Sequence, residues 1–189
     1  PLFSDIAFMA GVEATDWSWS PLLADFDNDG YRDLLITNGF PKDIIDHDFG
    51  AFRSSISSSL ISRKELLDMI PEVKIPNFMF RNNSNLTFTD VSKDWGISLP
   101  SFTNGTAYAD LDNDGDLDII TNNIDDPAFL FENTLYTKDK KENPAHYLRI
   151  ALKGPTDNSL GFGARVNIWT KGNLQSAESH CVRGYLSKS

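Results

Sequence analysis

ADFDNDGYRDLLITN (residues 24–38) and ADLDNDGDLDIITNN (residues 109–123) decide how this chain is read. Each holds a nine-residue loop with aspartates at positions one, three, five and nine and a glycine at six. These are Asp25, Asp27, Asp29, Gly30 and Asp33, then Asp110, Asp112, Asp114, Gly115 and Asp118. Two like charges about 4 Å apart repel by roughly 4 kcal/mol at an effective dielectric near 20. Four carboxylates in one turn therefore call for a cation. Calcium suits best, because it takes roughly six to eight oxygen ligands in flexible geometry, whereas magnesium wants a smaller octahedron and keeps its waters.

The spacing has a mechanical reason. Alternate residues of a tight turn aim their side chains at one centre, and Gly30 and Gly115 give the backbone freedom to wrap around it. The residue after each glycine, Tyr31 or Asp116, is then placed to offer its backbone carbonyl, while Asp33 and Asp118 close the shell from the start of the next strand. An EF-hand begins similarly but needs glutamate at position twelve and flanking helices. Here position twelve is Ile36 or Thr121, inside apolar runs that read as strands. The expectation is two calcium ions, one per loop.

More than the acids recurs. At the same 85-residue offset (Asp25 to Asp110), SDIAFMAGV (residues 4–12) matches TDVSKDWGI (residues 89–97), each after a phenylalanine, Phe3 or Phe88. FMFRNN (residues 78–83) matches FLFENT (residues 129–134). The unit reads as about four short strands separated by Asn, Asp and Gly turns. Such a unit cannot bury both faces alone and must stack on neighbours, as propeller blades do.

Residues 40–76 form an insertion in the first unit. Phe49, Phe52, Ile56, Leu60 and Leu67 recur there at helical spacing, and Pro71 ends the pattern. One or two modest helices packed on the blade are expected. Residues 135–144, polar and lysine-rich, read as a linker. Beyond them, HYLRIALKG and GARVNIWTKG alternate in polarity and predict antiparallel strands of a separate β module over residues 145–189. The fold class expected is all-β: a partial β-propeller at residues 1–134 with a small helical insertion, followed by the start of that β-rich module.

The 189 residues carry a formal charge of -10, with 40% apolar and 12% aromatic content. The composition is that of a globular chain, and its charge argues against nucleic acid and anionic membranes as partners. No apolar run is long enough to span a bilayer, and the first residues, PLFSDIAF, have neither the basic start nor the apolar core of a signal peptide. The single cysteine, Cys181, excludes an internal disulfide and reads as a buried structural thiol. His47, His146 and His180 lack zinc spacing, and no serine sits in a nucleophile elbow. Trp17, Trp19 and Trp95 read as packing aromatics before a carbohydrate platform.

The D-x-D-x-D-G-x-x-D loops, lying between A-D and L-x-I-T-N, resemble the FG-GAP or VCBS-type repeats of integrin-α-like β-propellers. The tail HYLRIALKGPTDNSLGFGARVNIWTKG…RGYLSKS resembles the start of an ASPIC/UnbV module, in the manner of cartilage-acidic-protein-like chains. The resemblance implies calcium at Asp25, Asp27, Asp29 and Asp33 and at Asp110, Asp112, Asp114 and Asp118, with backbone oxygens from Tyr31 and Asp116. It implies a secreted or surface-borne bacterial protein, and packing against further blades of a longer parent, since such propellers close with about seven. The function expected is a non-catalytic, extracellular binding or adhesion module for a protein or glycan. The alternative is a polysaccharide lyase or hydrolase on a propeller scaffold.

Overall fold

A computed structural model of the chain describes residues 2–43, 46–55, 61–136, 147–170 and 172–182. In chain order its elements are α1 (Ala7–Ala10), β1 (Ser18–Ala24), β2 (Asp33–Asn38), α2 (His47–Ser55), α3 (Arg63–Asp68), β3 (Ile75–Pro76) and β4 (Phe78–Asn82). Then come β5 (Phe88–Asp90), β6 (Pro100–Ser101), β7 (Thr103–Ala109), β8 (Asp118–Asn123), β9 (Phe129–Phe131), β10 (Arg165–Thr170) and β11 (Asn173–Glu178). The chain is mostly β, in several small antiparallel sheets, with no closed barrel among the described residues.

The two acidic loops sit in two antiparallel sheets, and β5, which opens the second repeat by sequence, pairs with β4 in the first sheet. The first has the order β1-β2-β4-β5 and the second β7-β8-β9. In each, the strand entering the acidic loop pairs with the strand leaving it, so that Ala24 lies opposite Asp33 and Ala109 opposite Asp118. The leaving strand DLLITN is buried at five of six positions, consistent with its apolar run and its central place in the sheet. Leu22, Ala24, Phe26, Leu35 and Met79 of the first sheet share one buried cluster with Ile119 of the second. Val91 and Ile97 complete it, with Trp95 packed alongside. The two sheets thus stack through a common core.

Polar side chains repeat as faithfully as the strands. Ser18 Oγ donates to Asn38 Oδ1 at 2.9 Å, and at the equivalent places Thr103 Oγ1 donates to Asn123 Oδ1 at 2.6 Å. Asn77, fully buried, ties the units together: its Oδ1 accepts the Asn38 backbone N–H at 2.9 Å and its Nδ2 donates to Thr103 Oγ1 at 3.1 Å. Gly39 marks the closest approach. Its φ is 136°, and a Cβ there would lie 2.4 Å from the Phe102 Cα.

Some expectations change. The insertion does form helices, but α2 and α3 bury no residue, because Phe52 and Leu67 face solvent. Ile56 and Leu60 fall outside the described residues, as does most of the expected linker. In the tail, GARVNIWTKG gives β10, yet its partner is β11, in NLQSAE. The strand expected from HYLRIALKG does not form over its described residues, and Leu148 and Ile150 are exposed. Tyr147 and Arg149 of this segment lie instead on the second acidic loop. Cys181 is exposed, not buried, because it follows a hairpin whose β11 residues are all exposed. The tryptophans pack as expected: Trp17 stacks on Phe40 with centroids 5.1 Å apart, and Trp19 Nε1 donates to Gly39 O. Among the described residues no helix is long and apolar enough to cross a membrane.

Candidate metal centre

Each acidic loop joins two paired strands, so the strands fix its ends. The turn between them is alike in both: Asn28 and Asn113 have φ of 55° and 65°, and Gly30 and Gly115 have φ of 95° and 102°. Asparagine and glycine are the residues that enter this left-handed region at least cost. Backbone amides then point inward. In the first loop Asp25 accepts the N–H groups of Asp29 and Gly30 at 3.0 and 2.9 Å, and Asp29 accepts that of Tyr31 at 2.8 Å. In the second loop Asp112 accepts Asp114 N–H and Asp114 accepts Asp116 N–H.

This folding brings three carboxylates together per loop. One oxygen each from Asp25, Asp27 and Asp29 lies within 4.8 Å of the other two, and the same holds for Asp110, Asp112 and Asp114. Oxygens sharing a calcium ion at about 2.4 Å are at most about 4.8 Å apart, so both groups fit that ion. Each carboxylate oxygen carries a second lone pair beyond the one an N–H takes. The donor set is hard oxygen only, which suits calcium, magnesium or manganese better than zinc or copper.

Asp33 and Asp118 stand apart from these groups. Asp33, with no exposed surface, accepts Phe26 N–H at 3.0 Å on Oδ2 and Asn82 N–H at 2.9 Å on Oδ1. Asp118 does the same with Leu111 and Asn133, both at 2.9 Å. The ninth position therefore braces the loop against the third strand of its own sheet. Spacing alone could not reveal this, because the partners are 49 and 15 residues away.

The electrostatics agree with crowding. Burial pushes Asp33 up to about 7, against the lowering effect of its two N–H partners. Burial also takes Asp25 to about 6, with the charges of Asp29 and Asp27 adding to it, and raises Asp27. Asp116 rises to about 6 through burial and the neighbouring Asp114 and Asp118 charges. A cation favours the ionised forms and reverses each of these.

The loops also touch. Asn28 Nδ2 of the first donates to Gly115 O of the second at 3.2 Å, and Asn133 Nδ2 donates to Phe26 O at 2.8 Å. The tail lies over both. Arg32 reaches Ser176 O of β11, and the Tyr147 ring lies so close to Gly115 that a Cβ there would overlap it. Arg149 bridges Asp110 and Asn113. The sequence carries no local signal for these contacts, because Arg149 lies 39 residues from Asp110. Beside Asp27, between the two sheets, opens a cleft of about 570 Å³, lined among others by Arg81, Asp94, Trp95 and Glu132.

No protein-family model matches this chain, and a search of curated proteins finds no match.

Proposed function

We propose that the chain is a calcium-binding β-propeller segment of the FG-GAP/VCBS kind, followed by an ASPIC/UnbV-like β module. It serves as an extracellular binding or adhesion module. The observation that supports this reading is the convergence of three carboxylates at the same place in two repeated strand–loop–strand units. Each cluster holds one calcium ion, and the carbonyls of Tyr31 and Asp116 complete the shell. Asp33 and Asp118 brace the loops and add charge. Calcium modules outside the cell work at Kd of roughly 10⁻⁴–10⁻³ M, which suits half-exposed loops such as these and a secreted or surface location.

Stacking on further blades is supported by the first repeat. Ile6, equivalent to the buried Val91, is exposed, and so are Leu2 and Phe3 beside it. The cleft between the sheets brings an aromatic face beside acids and an arginine, a combination that suits a glycan or a protein loop.

Calorimetric titration with calcium tests the reading. Two sites are expected, with Asp27→Ala removing one and Asp112→Ala the other. At calcium a hundredfold above Kd each site adds about 2.7 kcal/mol of stability. Glycan and protein arrays probed with and without calcium then identify the ligand class, and a lyase and hydrolase panel tests the enzymatic alternative. Absence of calcium uptake at millimolar concentration would end the proposal.

A further inference from the structure

The seventh loop position separates the two repeats. Tyr31 fills it in the first loop and faces solvent, whereas Asp116 fills it in the second and is 1% exposed. The loop geometry does not require the acid, since both turns keep nearly the same φ angles with either residue. Asp116 Oδ2 accepts the Tyr136 backbone N–H at 2.9 Å. Its Oδ1 is sealed from solvent and has no hydrogen-bond partner among the described residues. The carboxylate of Asp114 is its charged neighbour, and Asp114 belongs to the convergent group with Asp110 and Asp112, beside which Asp116 stands as a separate acid.

A second oxygen of this loop is in the same condition. Asp110 Oδ2 meets Arg149, while Asp110 Oδ1 is sealed and without a partner. Among the described residues, no aspartate oxygen of the first loop is sealed and orphaned in this way. A buried carboxylate oxygen needs a proton or a cation. Here two of them border one cluster of like charges.

We propose that Asp116 is a side-chain ligand, through Oδ1, of the divalent cation held by the second loop, and that this loop is consequently the tighter of the two calcium sites. The inference rests on the loops being cation sites at all, and it assigns them unequal strength. The second loop offers one more anionic oxygen, and affinity in oxygen-lined calcium sites follows ligand charge. The rival account is a proton shared between Asp114 and Asp116, with no part in binding.

Terbium(III) luminescence on the whole chain separates the accounts. Asp27→Ala isolates the second loop and Asp112→Ala the first. The expected result is a tighter second loop. Adding Asp116→Asn to the Asp27→Ala chain should weaken it by about tenfold or more. Asparagine imitates a protonated acid, so under the rival account affinity stays level or rises, which overturns the assignment. Emission lifetimes in H₂O and D₂O give a second readout that needs no change at Asp116. The ion in the second loop should keep at least one water fewer than the ion in the first, and equal hydration also overturns the assignment. If the unaltered chain takes up no terbium, the cation reading of both loops falls and this one with it. Two filled sites of equal affinity and hydration defeat the Asp116 role alone.

Discussion

Asn77→Ala tests whether the two repeats are held together by an uncharged buried amide. Asn77 has no exposed surface, and neither do Asn38 and Thr103, which it joins. Truncation strands the Asn38 backbone N–H, whose partner is Asn77 Oδ1 at 2.9 Å. An unsatisfied buried donor costs about 1–3 kcal/mol. Thr103 Oγ1 loses one donor but keeps Ser101 and Asn123 as partners, so its share is below about 1 kcal/mol. A small cavity adds roughly another 1 kcal/mol. The total is about 2–5 kcal/mol. For a chain of this size that is a fall in Tm of roughly 5–15 °C. Urea unfolding followed by circular dichroism measures it, with exposed Asn122→Ala as the control, expected within about 0.5 kcal/mol of the parent. The effect should be equal with calcium and with chelator, because Asn77 belongs to the sheets and not to the loops. A loss under about 1 kcal/mol, or one that vanishes in chelator, would refute the reasoning.

Gly39→Ala should be more damaging still, since φ of 136° is strained for alanine and the new Cβ meets the Phe102 backbone at 2.4 Å; a loss of about 3 kcal/mol or more is expected by urea titration, and a neutral result would mean that the two units do not approach there. In the absence of calcium, stability should fall as pH rises from about 4 toward 7. Asp33 (about 7), Asp25 and Asp116 (each about 6) hold protons in the folded chain that the unfolded chain releases near 3.8. The unfolded state binds fewer protons in that window, so the slope is negative. Melting temperatures that climb across this range in chelator would contradict the burial of these three acids.

The sequence made the acidic loops, their glycines and the strands on either side legible, because all of these are local. Aspartate spacing, a left-handed turn at Asn28 and Gly30, and an apolar run after Asp33 need only neighbouring residues to be understood. Asn38, Asn77 and Thr103 were not legible for the opposite reason. An asparagine at a strand end reads as a turn former, and its second role appears only when a residue 39 positions away donates or accepts. The tail misled in another way: the alternation of HYLRIALKG is real, but the segment joins neither β10 nor β11. Instead Tyr147 and Arg149 of that segment lie on the second loop.

The brace at Asp33 and Asp118 changes what calcium is asked to do. A loop shaped only by its ion would be organised by binding, in the way zinc fingers fold on metal. Here the chain itself supplies the closing bonds: two amides on each ninth-position carboxylate, two more on Asp25, the Asn28 link between the loops, and the Asn133 link from beyond β9 to the first loop. On the proposed calcium reading, these bonds hold the carboxylates close together, so that binding has little left to order. The ion then adds, on that same reading, the mass-action increment of each site. The mutual repulsion of three clustered carboxylates is the residual cost that the ion removes, and it is greatest where Asp116 adds a fourth.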